Sequence, residues 1–190
     1  MQDHSAWAND NELPTVDRLE LAFPLVVIDF EATALTFGSY PIEVGVARAM
    51  NARHPFESWS TLIVPDPSWD LSSQWDPDAQ RIHGIAKWDL RDGHSPSDTI
   101  CALNRWVGNA PHVWCDGGQY DIHWLDTLAA AAGIEPTFSL IDIRPLMLAS
   151  PSISARYMHA LNRSKPPHRA ELDAVRICAA LLSAMSSPAA

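Results

Sequence analysis

The chain is short of cysteine, of positive charge and of long apolar runs, and each shortage removes a class of protein. Its three cysteines, Cys101, Cys115 and Cys178, are widely spaced and form no CxxC pair. That excludes a disulfide framework and a cysteine zinc site, and it suits a reducing cytosol. No apolar run approaches the roughly 20 residues that a membrane-spanning helix needs. The N-terminal stretch MQDHSAWANDNELP has neither a basic region nor an apolar core, so it does not read as a secretory signal. A soluble, cytoplasmic protein with no membrane contact is expected. Internal repeats and low-complexity tracts are absent as well.

Lys and Arg number 13 against 23 Asp and Glu, a net charge of −10. Such a balance opposes non-specific phosphate binding. The charge is unevenly spread, however. Between Ile143 and Ala170 there is no acid at all, while Arg144, Arg156, Arg163, Lys165 and Arg169 give that stretch +5. It reads either as a solvated loop or as a local phosphate-binding patch in an otherwise acidic surface.

What is present is ordinary for a globular domain: 190 residues, 47% hydrophobic and 19% charged. Residues 1–22 read as an extension, 23–185 as one domain and 186–190 as a tail. The apolar, β-branched run Leu25–Phe30 predicts a central strand. Alternation predicts a second strand over 42–50, and a third follows over 56–64. Their short connections suggest an antiparallel meander. Residues 65–95, rich in proline, tryptophan and aspartate, predict irregular chain with one short helix near 78–83. Ser95-Pro-Ser-Asp98 has the composition of a helix start. A strand over 112–115, a helix over 119–132, a strand over 139–143, the basic loop and a last helix over 169–185 complete the order. The result is an α/β domain with one mixed sheet flanked by helices.

Asp29 and Glu31, two apart on the first strand, project from the same face. Two acids on a core-facing side are costly unless a cation neutralises them, and hard oxygen ligands suit Mg²⁺ or Mn²⁺. A strand end splayed into solvent would explain the same pair. Asp121 and Asp173 each fall in the first turn of a predicted helix, where the helix dipole alone favours an acid. His168, behind Pro166-Pro167 and five residues before Asp173, can take a proton from water if it leans over the acids. A surface histidine is the plainer explanation.

Together and in order, these patterns resemble the DnaQ-like, or DEDDh, 3′-5′ exonuclease family, whose fold is RNase H-like. The first motif stands here as Asp29-Phe-Glu-Ala-Thr-Ala-Leu35, the second as Gly118-Gln-Tyr-Asp-Ile-His-Trp-Leu125 and the third as His168-Arg-Ala-Glu-Leu-Asp-Ala174. Pro41-Ile-Glu-Val-Gly-Val46 and Arg81-Ile-His-Gly-Ile85 also look like the family. The resemblance implies hydrolysis of single-stranded DNA or RNA from the 3′ end, releasing nucleoside 5′-monophosphates. It implies two Mg²⁺ or Mn²⁺ ions held by Asp29, Glu31, Asp121 and Asp173, with Asp29 shared and His168 as general base. It suggests that Phe30, Ala32, Thr33 and Leu35 meet the terminal nucleotide. His83 reads either as a group near the scissile end or, more plainly, as a satisfied surface or core histidine. Arg163, Lys165 and Arg169 are the expected phosphate contacts.

Two places depart from the pattern. Asp116-Gly117 stands where the family usually has His-Asn, so an extra acid either alters substrate contacts or caps the helix. Thr33-Ala34 stands where Thr-Gly is usual. The version Asp-Phe-Glu-Ala-Thr also occurs in an RNA-trimming branch. Homodimers occur among relatives, and one would bring the basic stretch of one copy to the site of another. Rival readings are a non-catalytic nucleic-acid or protein-binding module on the same fold, and a phosphodiesterase restricted to very short oligonucleotides.

Overall fold

A computed structural model describes residues 22–53 and 55–186. The expected extension (1–22) and tail (186–190) lie outside these residues apart from Ala22 and Ser186.

The first strand, β1 (Leu25–Ala32), is central because it is apolar on both sides. Its even-numbered residues Val26, Ile28 and Phe30 face one helical layer and its odd-numbered Leu25 and Val27 face another. β2 (Pro41–Ala49) and β3 (Glu57–Leu62) continue from it antiparallel, while β4 (Val113–Cys115) and β5 (Leu140–Asp142) add on the other side in parallel. The sheet order is β3-β2-β1-β4-β5. This is the mixed α/β arrangement, meander plus parallel strands, that the sequence predicts.

Helix α1 (Pro77–His83) starts at Asp76, whose carboxylate accepts the Asp78 N–H at 2.8 Å. α2 (Pro96–Val107) starts at Ser95, whose hydroxyl accepts the Asp98 N–H at 3.1 Å. α2 buries Ile100, Leu103 and Val107 against the even face of β1, together with Trp124 and Leu128 of α3 (Gln119–Ala132).

One expectation fails. The basic stretch is not a loop: it holds two helices, α4 (Arg144–Ala149) and α5 (Pro151–Leu161). Both begin with proline near the first helical position, and the Ser150 hydroxyl accepts the Ile153 N–H at the start of α5. Charge bias concealed the apolar spacing of Ile153, Tyr157 and Leu161, which pack into the same core as Leu25 and Val27.

The last helix, α6 (Ala170–Ser186), lies across β1 and β2 and supplies Ala174, Ile177, Cys178 and Leu181 to that core. Its first turn is fastened to the sheet at several points. The buried Glu43 of β2 accepts the Ala170 N–H at 3.0 Å and takes the Arg169 guanidinium at 2.6 Å. Ser58 and Ser60 of β3 donate to the Glu171 carboxylate at 2.7 and 3.0 Å. Gly45, opposite Asp29 on β2, permits the approach: a Cβ there would lie 2.2 Å from the Ala170 carbonyl carbon. Gly45→Ala is therefore expected to lift α6 off the sheet. Denaturant unfolding should show a loss of roughly 1–3 kcal/mol, and an unchanged midpoint would mean that the helix is not seated on this glycine.

Candidate active site

Three elements bring acids to one end of the sheet. β1 ends with Asp29 and Glu31 on the side facing α6. β4 runs parallel to β1, with Val27 opposite Trp114; continued by two residues, that register sets Asp116 beside Asp29. The fastened first turn of α6 presents Asp173, and the first turn of α3 presents Asp121.

Carboxylate oxygens of Asp29, Glu31 and Asp173 lie within 4.8 Å of one another, and so do those of Asp29, Asp116 and Asp121. The two groups share Asp29. They line a cleft of about 400 Å³ with Phe30, Ala32, Leu35, His83 and His168. Asp121 and Asp173 are buried; Asp29, Glu31 and Asp116 are half-buried. Among the described residues their one ion pair with a basic side chain is Arg176, 3.9 Å from Asp173, and its guanidinium also donates to the Leu161 carbonyl.

So many acids with so little positive charge disturb one another's titration. Burial first, then the charges of Asp121, Asp116, Glu31 and Asp173, hold Asp29 well above the carboxylate range. Burial and Glu43 push Glu31 to about 8, with Arg169 opposing. Burial and Asp116 push Asp121 to about 7, although the Gly117 N–H and the Cys115 thiol both donate to its carboxylate. Burial and Asp173 push Asp116 to about 6. Burial raises Asp173 as well, against the backbone N–H groups of Arg169 and His168. A divalent cation relieves this repulsion, and an all-oxygen donor set suits Mg²⁺ or Mn²⁺. The residues fit such ions.

The other residues singled out by sequence divide. Leu35 is exposed at the cleft, near the exposed Ile82. Thr33 is fully buried; its N–H donates to the Tyr40 carbonyl and its hydroxyl accepts the Tyr40 N–H, so it shapes the turn after β1. His83 is buried, with Nδ1 accepting the Ile85 N–H and Nε2 without a partner among the described residues. His168 has a left-handed backbone, φ 54°, a conformation that histidine tolerates better than most residues. Arg169 is bound to Glu43. Arg163 and Lys165 are exposed in the segment between α5 and α6 and do not line the cleft. Arg144 is paired with Asp142 at 2.7 Å and Arg156 donates to the Ala184 carbonyl, so the basic stretch does not form one free patch. Sequence reasoning passed over Glu43 and Arg176, and it named Asp116 without placing it among the acids. The position of Asp116 at the end of a strand next to Asp29 was the available signal.

Neither a protein-family model nor a curated protein matches the chain. Solved structures do. E. coli exonuclease I, in complex with a dA16 oligonucleotide, superposes with a TM-score of 0.64 at 14% identity over 83% of this chain. A 3′-exonuclease solved for 3′-end-specific recognition of a histone mRNA stem-loop gives 0.66 at 13% identity over 86%. A full-length 3′-exonuclease gives 0.63 at 16% identity over 86%. The chain spans 40%, 81% and 60% of those three chains. It has the fold of these exonucleases.

The raised carboxylates have a consequence for stability. A carboxylic acid whose pKa is higher folded than unfolded binds more protons in the folded state, so stability falls as pH rises through the interval between the two values. For Glu31, Asp116 and Asp121 that interval runs from the ordinary carboxylate range to between about 6 and 8. In chelator, Asp121→Asn is expected to raise the melting temperature at pH 8 by roughly 2–4 °C, and by less at pH 5. A gain of the same size at both pH values would contradict the repulsion.

Proposed function

We propose that the chain is a metal-dependent 3′-5′ exonuclease that removes nucleoside 5′-monophosphates from the 3′ end of single-stranded DNA or RNA. The observation that carries this is the pair of carboxylate groups sharing Asp29, in a cleft of the fold that the exonucleases above possess.

Asp29, Glu31 and Asp173 would hold one Mg²⁺ or Mn²⁺, and Asp29 with Asp121 a second. When bound, two such ions stabilise the attacking and leaving oxygens of a phosphodiester and ease deprotonation of water. The chain's own groups do the rest. His168 lies on the cleft wall with Asp173, where its imidazole accepts the proton of the attacking water. Leu35 and the backbone from Phe30 to Ala32 seat the last nucleotide, with exposed Phe37, stacked on Tyr120 at 5.1 Å, beside them. Burial lowers the pKa of His83, which favours the neutral ring. With Nδ1 accepting from Ile85, its proton sits on the unpartnered Nε2, a donor suited to an oxygen of the scissile end.

Arg169 serves the site indirectly in this reading, by fixing the turn that carries His168 and Asp173. Arg163 and Lys165 reach phosphates further along the strand. Among the described residues few free cations border the cleft, which favours recognition of a short 3′ segment over a long track of phosphates.

Single-stranded DNA and RNA, labelled so that released mononucleotides are counted, should be degraded in Mn²⁺ and left intact in EDTA. Asp29→Ala should cost at least about 10³-fold in rate and His168→Ala about 10²–10⁴-fold, with circular dichroism unchanged. Undiminished release by a folded Asp29→Ala variant would sink the assignment. Tight binding with no release in any metal would instead make the chain a binding module.

A further inference from the structure

We propose that Asp116 is a direct ligand of the second cation and that the Tyr157 hydroxyl orients its carboxylate. The inference rests on the two-cation reading above and goes beyond it in naming a fifth acid and a positioning residue. Three observations carry it.

The first is placement. Asp116 offers an oxygen within 4.8 Å of both Asp29 and Asp121, from the end of β4, the strand beside β1.

The second is the condition of Asp121, the ligand otherwise assigned to this ion. Its Oδ2 accepts the Gly117 N–H at 2.9 Å, and the Cys115 thiol donates to the same carboxylate. A side chain at Gly117 would put a Cβ 2.7 Å from that carboxylate. Glycine there lets Asp121 lean back onto the main chain, which uses up part of its accepting capacity. Asp116 receives only its own backbone N–H and has no ion pair among the described residues. Its oxygens are the better placed to take a cation.

The third is Tyr157. It is 3% exposed, yet its hydroxyl has no hydrogen-bond partner among the described residues. A buried polar group left in that condition costs stability and calls for an explanation. Its ring belongs to the core that holds Val27, Trp114 and Ile177, each within two residues of Asp29, Asp116 or Arg176, and it does not line the cleft; after burial, the charges acting on the hydroxyl are those of Asp116, Arg176 and Asp29. With a cation held by Asp116, this O–H would donate to the Asp116 carboxylate, the acceptor it lacks among the described residues. Partners of this kind set the orientation of a metal-binding carboxylate. Charge agrees: Asp29, Glu31, Asp116, Asp121 and Asp173, offset by Arg176, leave four negative charges for two divalent cations.

The test is cation binding to the full chain, with no substrate present. Calorimetric titration with Mn²⁺ should find two ions, and electron paramagnetic resonance should show them spin-coupled. Asp116→Asn should weaken the second ion by about tenfold or more and abolish the coupled signal while the first ion is retained; Asp116→Ala should do the same. Tyr157→Phe should weaken the second ion in the same direction, with a melting temperature in EDTA no lower than that of the unaltered chain. Two ions bound at unaltered affinity by Asp116→Asn would overturn the proposal and leave the two-cation reading standing. Fewer than two ions in the unaltered chain would overturn both. An unaltered second affinity in Tyr157→Phe would remove the positioning role.

Discussion

The close contact of the first turn of α6 with β2 is the constraint on which the rest of the molecule depends. Without a side chain at Gly45, the Ala170 backbone rests directly on the sheet. Glu43, buried at the same place, supplies the acceptor for the Ala170 N–H and a partner for Arg169. A buried carboxylate is tolerated only when it is paired and hydrogen-bonded in this way. The contact fixes more than a helix angle. It brings Asp173 across the strand pair to Asp29 and Glu31, and it sets the chain entering α6 so that His168 borders the same cleft.

Once assembled, the cleft is electrostatically unfavourable on its own. Five acids are gathered where solvent is partly excluded, and Arg176 offers little relief at 3.9 Å from Asp173. The fold tolerates this because the two apolar cores on either side of β1 hold the scaffold, and because Gly117 and Cys115 give Asp121 local donors. The strain is a sign of use: a cluster kept for stability alone would carry balancing cations.

Legibility from the sequence followed the range of the signal. β1 and the pair Asp29/Glu31 were readable because strand periodicity and a shared face are local properties. The start of α2 was readable because Ser95, Pro96 and Asp98 act over one turn. Asp121 and Asp173 were readable as candidates, but each alone looked like a helix-dipole acid; only the family pattern joined them. Helices α4 and α5 were missed because the absence of acids drew attention from Tyr157 and Leu161, whose burial depends on a core assembled from distant segments. The same distance hid the true partner of Arg169. A lone arginine near a proline pair reads as a phosphate contact until β2 sets Glu43 beneath it. Asp116 was visible, but its relation to Asp29 depends on the parallel pairing of β1 with β4, which no local pattern encodes.

The acidic character of the chain, −10 overall, bears on how a catalytic cycle would end. A phosphodiester linkage carries one negative charge, whereas a freed terminal phosphate carries nearly two near neutral pH. Cleavage as proposed would hand the cleft a product more anionic than the linkage it gripped. With few free basic side chains around the opening among the described residues, that product would be repelled outward. A surface ill-suited to holding long polyanions is well suited to letting go of small ones.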